Sequence, residues 1–377
     1  MLDLTSIPVV DNHCHPTLIE QRMDALRFRS YCTEASAASF AEEHLPYTVY
    51  YLWLLRQAAM LYGCERTEEA VIAARNRLES EALAEKLWRA ANFDTLIVDI
   101  GFPVGPAYQT PERMGQLAHC RAAKLFRLET LMQRLILEYA DFDALVERYL
   151  FEIEGLREKG YCGYKSIVAY RTGLHIREWS KDEAVASYNE ARTEGLRAGT
   201  LRLAHKPIID YLLHLAFRQA SEQELAIQFH TGYGDSETDM LLGNPLYLRP
   251  VLERDEYRGM RVVLLHESYP YTQLGAYLAA VYPHVYFDLS YAIPFVDRLE
   301  MLAFTRQALG VAPASKLLYS SDGINIPELH WAAAARGRSV LGQVLQEMIE
   351  ADELDEEQAY ALARQILHDT AYSIYQL

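Results

Sequence analysis

The chain has 377 residues, half of them hydrophobic and 23% charged, which is the composition of a soluble globular protein with enough length for one large domain or two ordinary ones. Its 36 basic and 52 acidic residues leave a net charge of −16. That charge repels phosphate backbones and anionic lipid, so no nucleic-acid or membrane partner is expected and a small-molecule substrate is the default.

No run of about 18 apolar residues could span a bilayer, and the N-terminus lacks a basic segment leading into a hydrophobic stretch, so a cytoplasmic location is expected. Five cysteines, Cys14, Cys32, Cys64, Cys120 and Cys162, form no C-x-x-C pair and are odd in number. They argue against a disulfide framework and against a zinc ribbon.

Short apolar or β-branched runs predict eight strands, at residues 8–12, 95–100, 124–128, 163–167, 225–229, 261–265, 285–289 and 316–320. Segments with helical spacing lie between most of them, such as 141–159 (Leu145, Tyr149, Ile153, Leu156) and 180–199. Eight strands alternating with helices predict a (β/α)8 TIM barrel, an α/β fold. Such a barrel needs about 250 residues, so over a hundred remain for additions. The largest excess, 16–93, follows the first strand and is expected to be a helical cap over the barrel mouth, or else padding at its side or an oligomer contact. Residues 340–375 carry helical spacing broken near 351–354 and predict two C-terminal helices. With no internal repeat, low-complexity tract or flexible linker, a single domain over 1–377 is expected.

The chemistry-bearing residues sit where the predicted strands end. His13-Cys14-His15 follows the first, and alternate strand residues share a face, so the two imidazoles project side by side. Alone, H-x-H also suits two histidines on a surface strand. Gln228-Phe-His230-Thr-Gly follows the fifth strand, Leu264-Leu-His266-Glu the sixth and Tyr319-Ser-Ser-Asp322-Gly the eighth. A barrel places its active site at the carboxyl ends of its strands. Three strands ending in histidine and one in aspartate therefore predict a divalent-metal site, with imidazole and carboxylate as the ligands expected for Zn2+. For Asp322 the alternative is ordinary turn chemistry, since Ser-Ser-Asp-Gly suits a turn.

This pattern resembles the amidohydrolase superfamily, which has H-x-H on the first strand, His on the fifth and sixth and Asp on the eighth. The segments 163–174 (GYKSIVAYRTGL), 266–270 (HESYP) and 318–323 (LYSSDG) look like the amidohydrolase-related branch (amidohydrolase 2) that includes the amidohydrolase half of glutamine synthetase-like fusion proteins. The resemblance implies that His13, His15, His230 and Asp322 bind one or two ions, and that His266 either binds a second ion or polarises the scissile carbonyl. It implies that Lys165, at the end of the fourth strand, bridges two ions as a carboxylated lysine; unmodified, Lys165 would anchor a substrate carboxylate or form a salt bridge in the barrel mouth. It implies a metal-dependent hydrolase of C–N bonds, with decarboxylase or isomerase chemistry on the same scaffold as the alternative. A non-catalytic metal-binding protein is a third reading, from a different class.

Metal-activated water would attack the carbonyl, with Asp322 taking the proton and passing it to the leaving amine. Arg127 and Glu129 after the third strand, and Tyr170 and Arg171 after the fourth, would face the mouth and bind the substrate. Arginine's planar fork suits a carboxylate, so a γ-glutamyl or other N-acyl amino acid fits, with surface ion pairing as the bland alternative. Asp11 and Asn12 would orient a ligand imidazole, and Glu267 would do so for His266. The remaining histidines, among them His175 and His330, carry no assigned role. Homo-oligomerisation is the base-rate expectation.

Overall fold

A computed structural model describes residues 2–291 and 293–377. The eight expected strands are present as β1 (Val9–Cys14), β2 (Phe93–Asp99), β3 (Arg121–Arg127), β4 (Tyr161–Ser166), β5 (Ala226–Phe229), β6 (Arg261–Leu264), β7 (Val285–Ser290) and β8 (Leu317–Ser320). They form one sheet in chain order, with parallel pairing along β1–β2 and from β3 through β7. With helices between them this is the expected (β/α)8 barrel. Ala226–Phe229 and Leu317–Ser320 are buried along their whole length and mostly apolar, each with one polar residue, Gln228 and Ser320, as suits parallel strands covered on both faces.

The chain divides into two compact units. One comprises Met1–Ala123 with Asp288–Tyr372, the other Lys124–Phe287 with Ser373–Leu377.

In the first unit, residues 16–93 fold into five helices, Ala25–Ser30, Ala38–Glu43, Val49–Tyr62, Glu68–Asn76 and Ser80–Ala91. A fully buried ion pair anchors them: Arg75 Nε donates to Glu328 Oε1 at 2.7 Å, and Tyr62 Oη–H donates to the same oxygen at 2.8 Å. Arg75 also donates to the Gln21 carbonyl. Glu328 stands in the first turn of the helix that follows β8, where the helix N-terminus favours a carboxylate. The insertion is thus tied to the segments following β1 and β8, on the carboxyl side of the strands.

The C-terminal region differs from expectation. Its first helix starts at Pro327 and runs to Glu350, well before residue 340, and Glu356–Arg364 continues through a π-helical segment, Gln365–Asp369, into Thr370–Tyr375. Proline at the first helical position needs no N–H, so Pro327 starts this helix rather than breaking it.

In the second unit, helix Lys181–Ala198 begins with a capping box, Ser180 with Glu183, and ends at left-handed Gly199. It matches the 180–199 expectation. Phe142–Ile153 occupies the first part of 141–159. No helix among the described residues is long and apolar enough to cross a membrane.

Candidate metal centre and strand-end site

In the first unit, β1 and the segment after β8 are joined by their backbones. Asp322 N–H donates to the His13 carbonyl at 3.0 Å, and His15 N–H to the Gly323 carbonyl at 2.8 Å. These bonds bring the Asp322 carboxylate against both imidazoles, with Oδ1 3.5 Å from His13 Nε2 and 3.4 Å from His15 Nε2. His15 Nδ1–H donates to the Phe102 carbonyl at 2.7 Å, which fixes the ring and turns Nε2 toward Asp322. Asp322 adopts φ 48°, a left-handed conformation that aspartate tolerates better than most residues.

A buried polar layer surrounds these groups. Asn12 Nδ2–H donates to Asp288 Oδ1 at 3.2 Å, Ser320 Oγ–H to Asp288 Oδ2 at 2.8 Å, and Ser321 N–H to Asp11 Oδ1 at 2.8 Å. Asp11 and Asn12 thus tie β1 to β7 and to the end of β8. Burial pushes the Asp11 carboxyl up to about 8 against the hydrogen bonds from Ser321, and the nearby Asp288 adds to the rise. His330 is fully buried behind the centre, and its pKa falls to about 4 because burial disfavours the charged ring. A Cβ on Gly323 would lie 2.5 Å from the His330 ring, so only glycine lets the 322–323 segment pass over it.

Sequence reasoning missed one residue. Asp99 closes β2 and is fully buried, and one ligand atom each of His13, His15 and Asp99 lie within 4.8 Å of one another. Its Oδ1 accepts from Gly101 N–H at 2.9 Å. The signal was present, because Leu96-Ile97-Val98-Asp99 ends a buried strand in a carboxylate; the predicted strand ran on to residue 100 and hid it inside.

In the second unit, β5 and β6 end on His230 and His266, with ring centroids 4.4 Å apart. Tyr170 lies 4.3 Å from His230 on its other contact. His230 Nε2–H donates to the Tyr233 carbonyl at 2.6 Å. His266, Glu267 and Ser268 are three consecutive left-handed residues, with φ 61°, 59° and 47°. Thr231 holds them through Oγ1, which donates to the Leu265 carbonyl at 2.6 Å and lies 2.8 Å from Ser268 Oγ.

Lys165 is buried in β4, flanked in register by Arg127 on β3 and Gln228 on β5. Glu129 is buried as well; Ser166 Oγ–H donates to its Oε1 at 2.6 Å, while Oε2 has no partner, and burial raises its pKa. Arg171 stands 4.0 Å from exposed Glu237, with its Nε buried and unpartnered. Burial lowers its pKa, reinforced by the neighbouring Arg202. His13, His15 and Asp322 therefore converge in one unit, and His230, His266 and Tyr170 in the other.

An eight-stranded barrel with paired imidazoles and an aspartate at its strand ends defines the class: the amidohydrolase family model matches residues 171–377, more than half of the chain, and the chain belongs to that family. It is 28% identical to protein fluG of Emericella nidulans over 98% of this chain, and spans about half (46%) of that relative's length. A crystal structure described as a metal-dependent hydrolase from Lactobacillus casei superposes with a TM-score of 0.86 at 28% identity, covering 100% of this chain and 98% of the other. Uronate isomerase from Thermotoga maritima shares the fold, with a TM-score of 0.71 at 14% identity over 98% of this chain and 95% of its own.

Proposed function

We propose that the protein is a metal-dependent hydrolase that cleaves the C–N bond of a small amide bearing a carboxylate. One observation carries this: the Asp322 carboxylate stands 3.5 and 3.4 Å from the Nε2 atoms of His13 and His15. Ligands about 2.05 Å from a tetrahedral ion lie about 3.3 Å apart, so both carboxylate–imidazole distances match edges of a first coordination shell. Imidazole and carboxylate together select a divalent ion of the zinc type.

The family resemblance makes His230 the third imidazole ligand of this reading. With its Nε2 donating to the Tyr233 carbonyl, the ring would present Nδ1. A second ion would require carboxylation of Lys165; unmodified, that lysine supports a substrate carboxylate.

The bound ion would lower the pKa of a coordinated water toward neutrality. Asp322 takes the proton from the attacking water and passes it to the leaving nitrogen. His266, held by its left-handed turn against Thr231, polarises the carbonyl. Arg171 offers the substrate carboxylate an unpartnered Nε beside the 4.0 Å ion pair its Nη1 makes with exposed Glu237. Arg127 and Tyr170 line the same side, and Glu129 braces Ser166 next to Lys165. The substrate is therefore an N-acyl or γ-glutamyl amino acid, and the protein works in the cytoplasm, with homo-oligomers as the base-rate state.

The test pairs elemental analysis of chelator-free protein with a substrate panel of N-acyl and γ-glutamyl amides, aromatic carboxylic acids and uronates. About one or two ions per chain and release of free amine are expected. Less than about a tenth of an equivalent of metal would remove the metal-centre reading. Carbon dioxide release or sugar isomerisation without amine release would replace hydrolysis by the alternative chemistry.

A further inference from the structure

We infer that Asp99 is a fourth protein ligand of the metal centre, supplied by β2 and absent from the His-x-His, His, Asp pattern on which the proposed function rests. The strand register explains its place. Cys14 pairs with Val98, so the next residues along, His15 and Asp99, stand side by side where β1 and β2 end. A register shift between Asp11 and Cys14 sets three residues of β1 against two of β2 and brings His13 to the same end.

The ligand atoms of His13, His15 and Asp99 all lie within 4.8 Å of one another. Ligands of one tetrahedral ion stand about 3.3 Å apart, so the triad closes around a cation with side-chain movements of up to about 1.5 Å and no change of backbone. The Gly101 N–H on Oδ1 orients the carboxylate in advance, as partners of metal ligands do.

Charge points the same way. Asp99 is buried, 0% accessible, and its neighbours in the triad are imidazoles. Two carboxylates, Asp99 and Asp322, match the two positive charges of the ion. Local turn chemistry alone would require neither burial nor two imidazoles within reach.

Asp99→Asn keeps the oxygen that accepts from Gly101 N–H and removes the charge, so it separates a ligand from a turn residue. Wild-type protein and D99N are stripped of metal, checked for equal thermal unfolding, and titrated with Zn2+ against a chromophoric chelator; both are also loaded with Co2+ for visible spectra. D99N is expected to bind Zn2+ at least about tenfold more weakly and to show a changed Co2+ spectrum. Equal affinity within a factor of about two and an unchanged spectrum would overturn the assignment. A Zn2+-soaked wild-type crystal decides the matter without a variant, since an Asp99 oxygen about 2.0–2.2 Å from the ion supports it and one beyond about 3.5 Å overturns it. Failure of the wild-type protein to bind any metal would defeat the proposed function itself, whereas a wild-type site that ignores Asp99 defeats this inference alone.

Discussion

The strand ends of the two units are built on opposite plans. Around β1, β2 and β8 the side chains are imidazoles and carboxylates, His13, His15, Asp99 and Asp322, with Asp11 and Asp288 buried beside them. Backbone hydrogen bonds between β1 and the segment after β8 hold that set together. Around β4, β5 and β6 the groups are cationic or aromatic, Lys165, Arg171, Tyr170, His230 and His266, and three successive left-handed residues hold the turn after β6. An acidic, donor-rich end suits a cation, and a basic, aromatic end suits an organic anion. Under the proposed function the first unit supplies most of the metal donors, and the second supplies His230 together with substrate polarisation and anchoring.

The largest effect should come from removing a donor. His13→Ala is expected to abolish metal retention and to lower kcat/KM by about 1,000-fold or more. His266→Gln should keep its metal within a factor of about two while kcat falls by roughly 100-fold. Metal analysis alongside steady-state kinetics separates the two. Equal metal loss in both variants would erase the division, because His266 would then be a ligand like the others.

Much of this was legible in the sequence, for a physical reason. Parallel strands covered on both faces read as short apolar runs, so β5 and β6 were placed to within a residue: 225–229 against Ala226–Phe229, and 261–265 against Arg261–Leu264. The apolar run of the first strand ends by residue 12, yet the backbone stays extended to Cys14. The start of helix Pro327–Glu350 was lost because its first half is buried on several faces, with Glu328, His330, Arg336 and Arg338 inside along with the alanines. No single apolar stripe marks it. Metal-type residues that follow a strand, such as Asp322, were found; Asp99, the last residue within one, was not. The left-handed turn at 266–268 leaves no local signature, since none of its residues is a glycine.

That turn supplies the second test. Gly232 has φ 71°, and a Cβ there would run into the backbone of Ser268 and Tyr269. Gly232→Ala combines a left-handed alanine with a clash against main chain that has little room to move. It is expected to destabilise the protein by about 2–5 kcal/mol in chemical denaturation. Gly323→Ala meets the His330 ring instead, a side chain, and should cost less. If the two variants unfold alike, the turn after β6 is no more constrained than the segment after β8.

The smallest effect concerns Glu129, a buried carboxylate next to the cationic groups. Burial raises the Glu129 pKa against the hydrogen bond from Ser166. The native state therefore holds this proton more tightly than the unfolded chain does. Its contribution to stability is fully present below the ordinary carboxylate pKa near 4 and is lost as pH rises through the elevated native value. Glu129→Gln keeps an acceptor for Ser166 Oγ–H and cannot ionise. The variant should match wild type near pH 4 and become relatively more stable toward neutrality, each unit of pKa difference being worth about 1.4 kcal/mol. Denaturation midpoints measured across that range would show the two curves diverging. If instead the variant loses stability as pH rises, Glu129 is ionised and already neutralises Arg127 or Lys165, and the cationic strand ends have less charge to offer a substrate carboxylate.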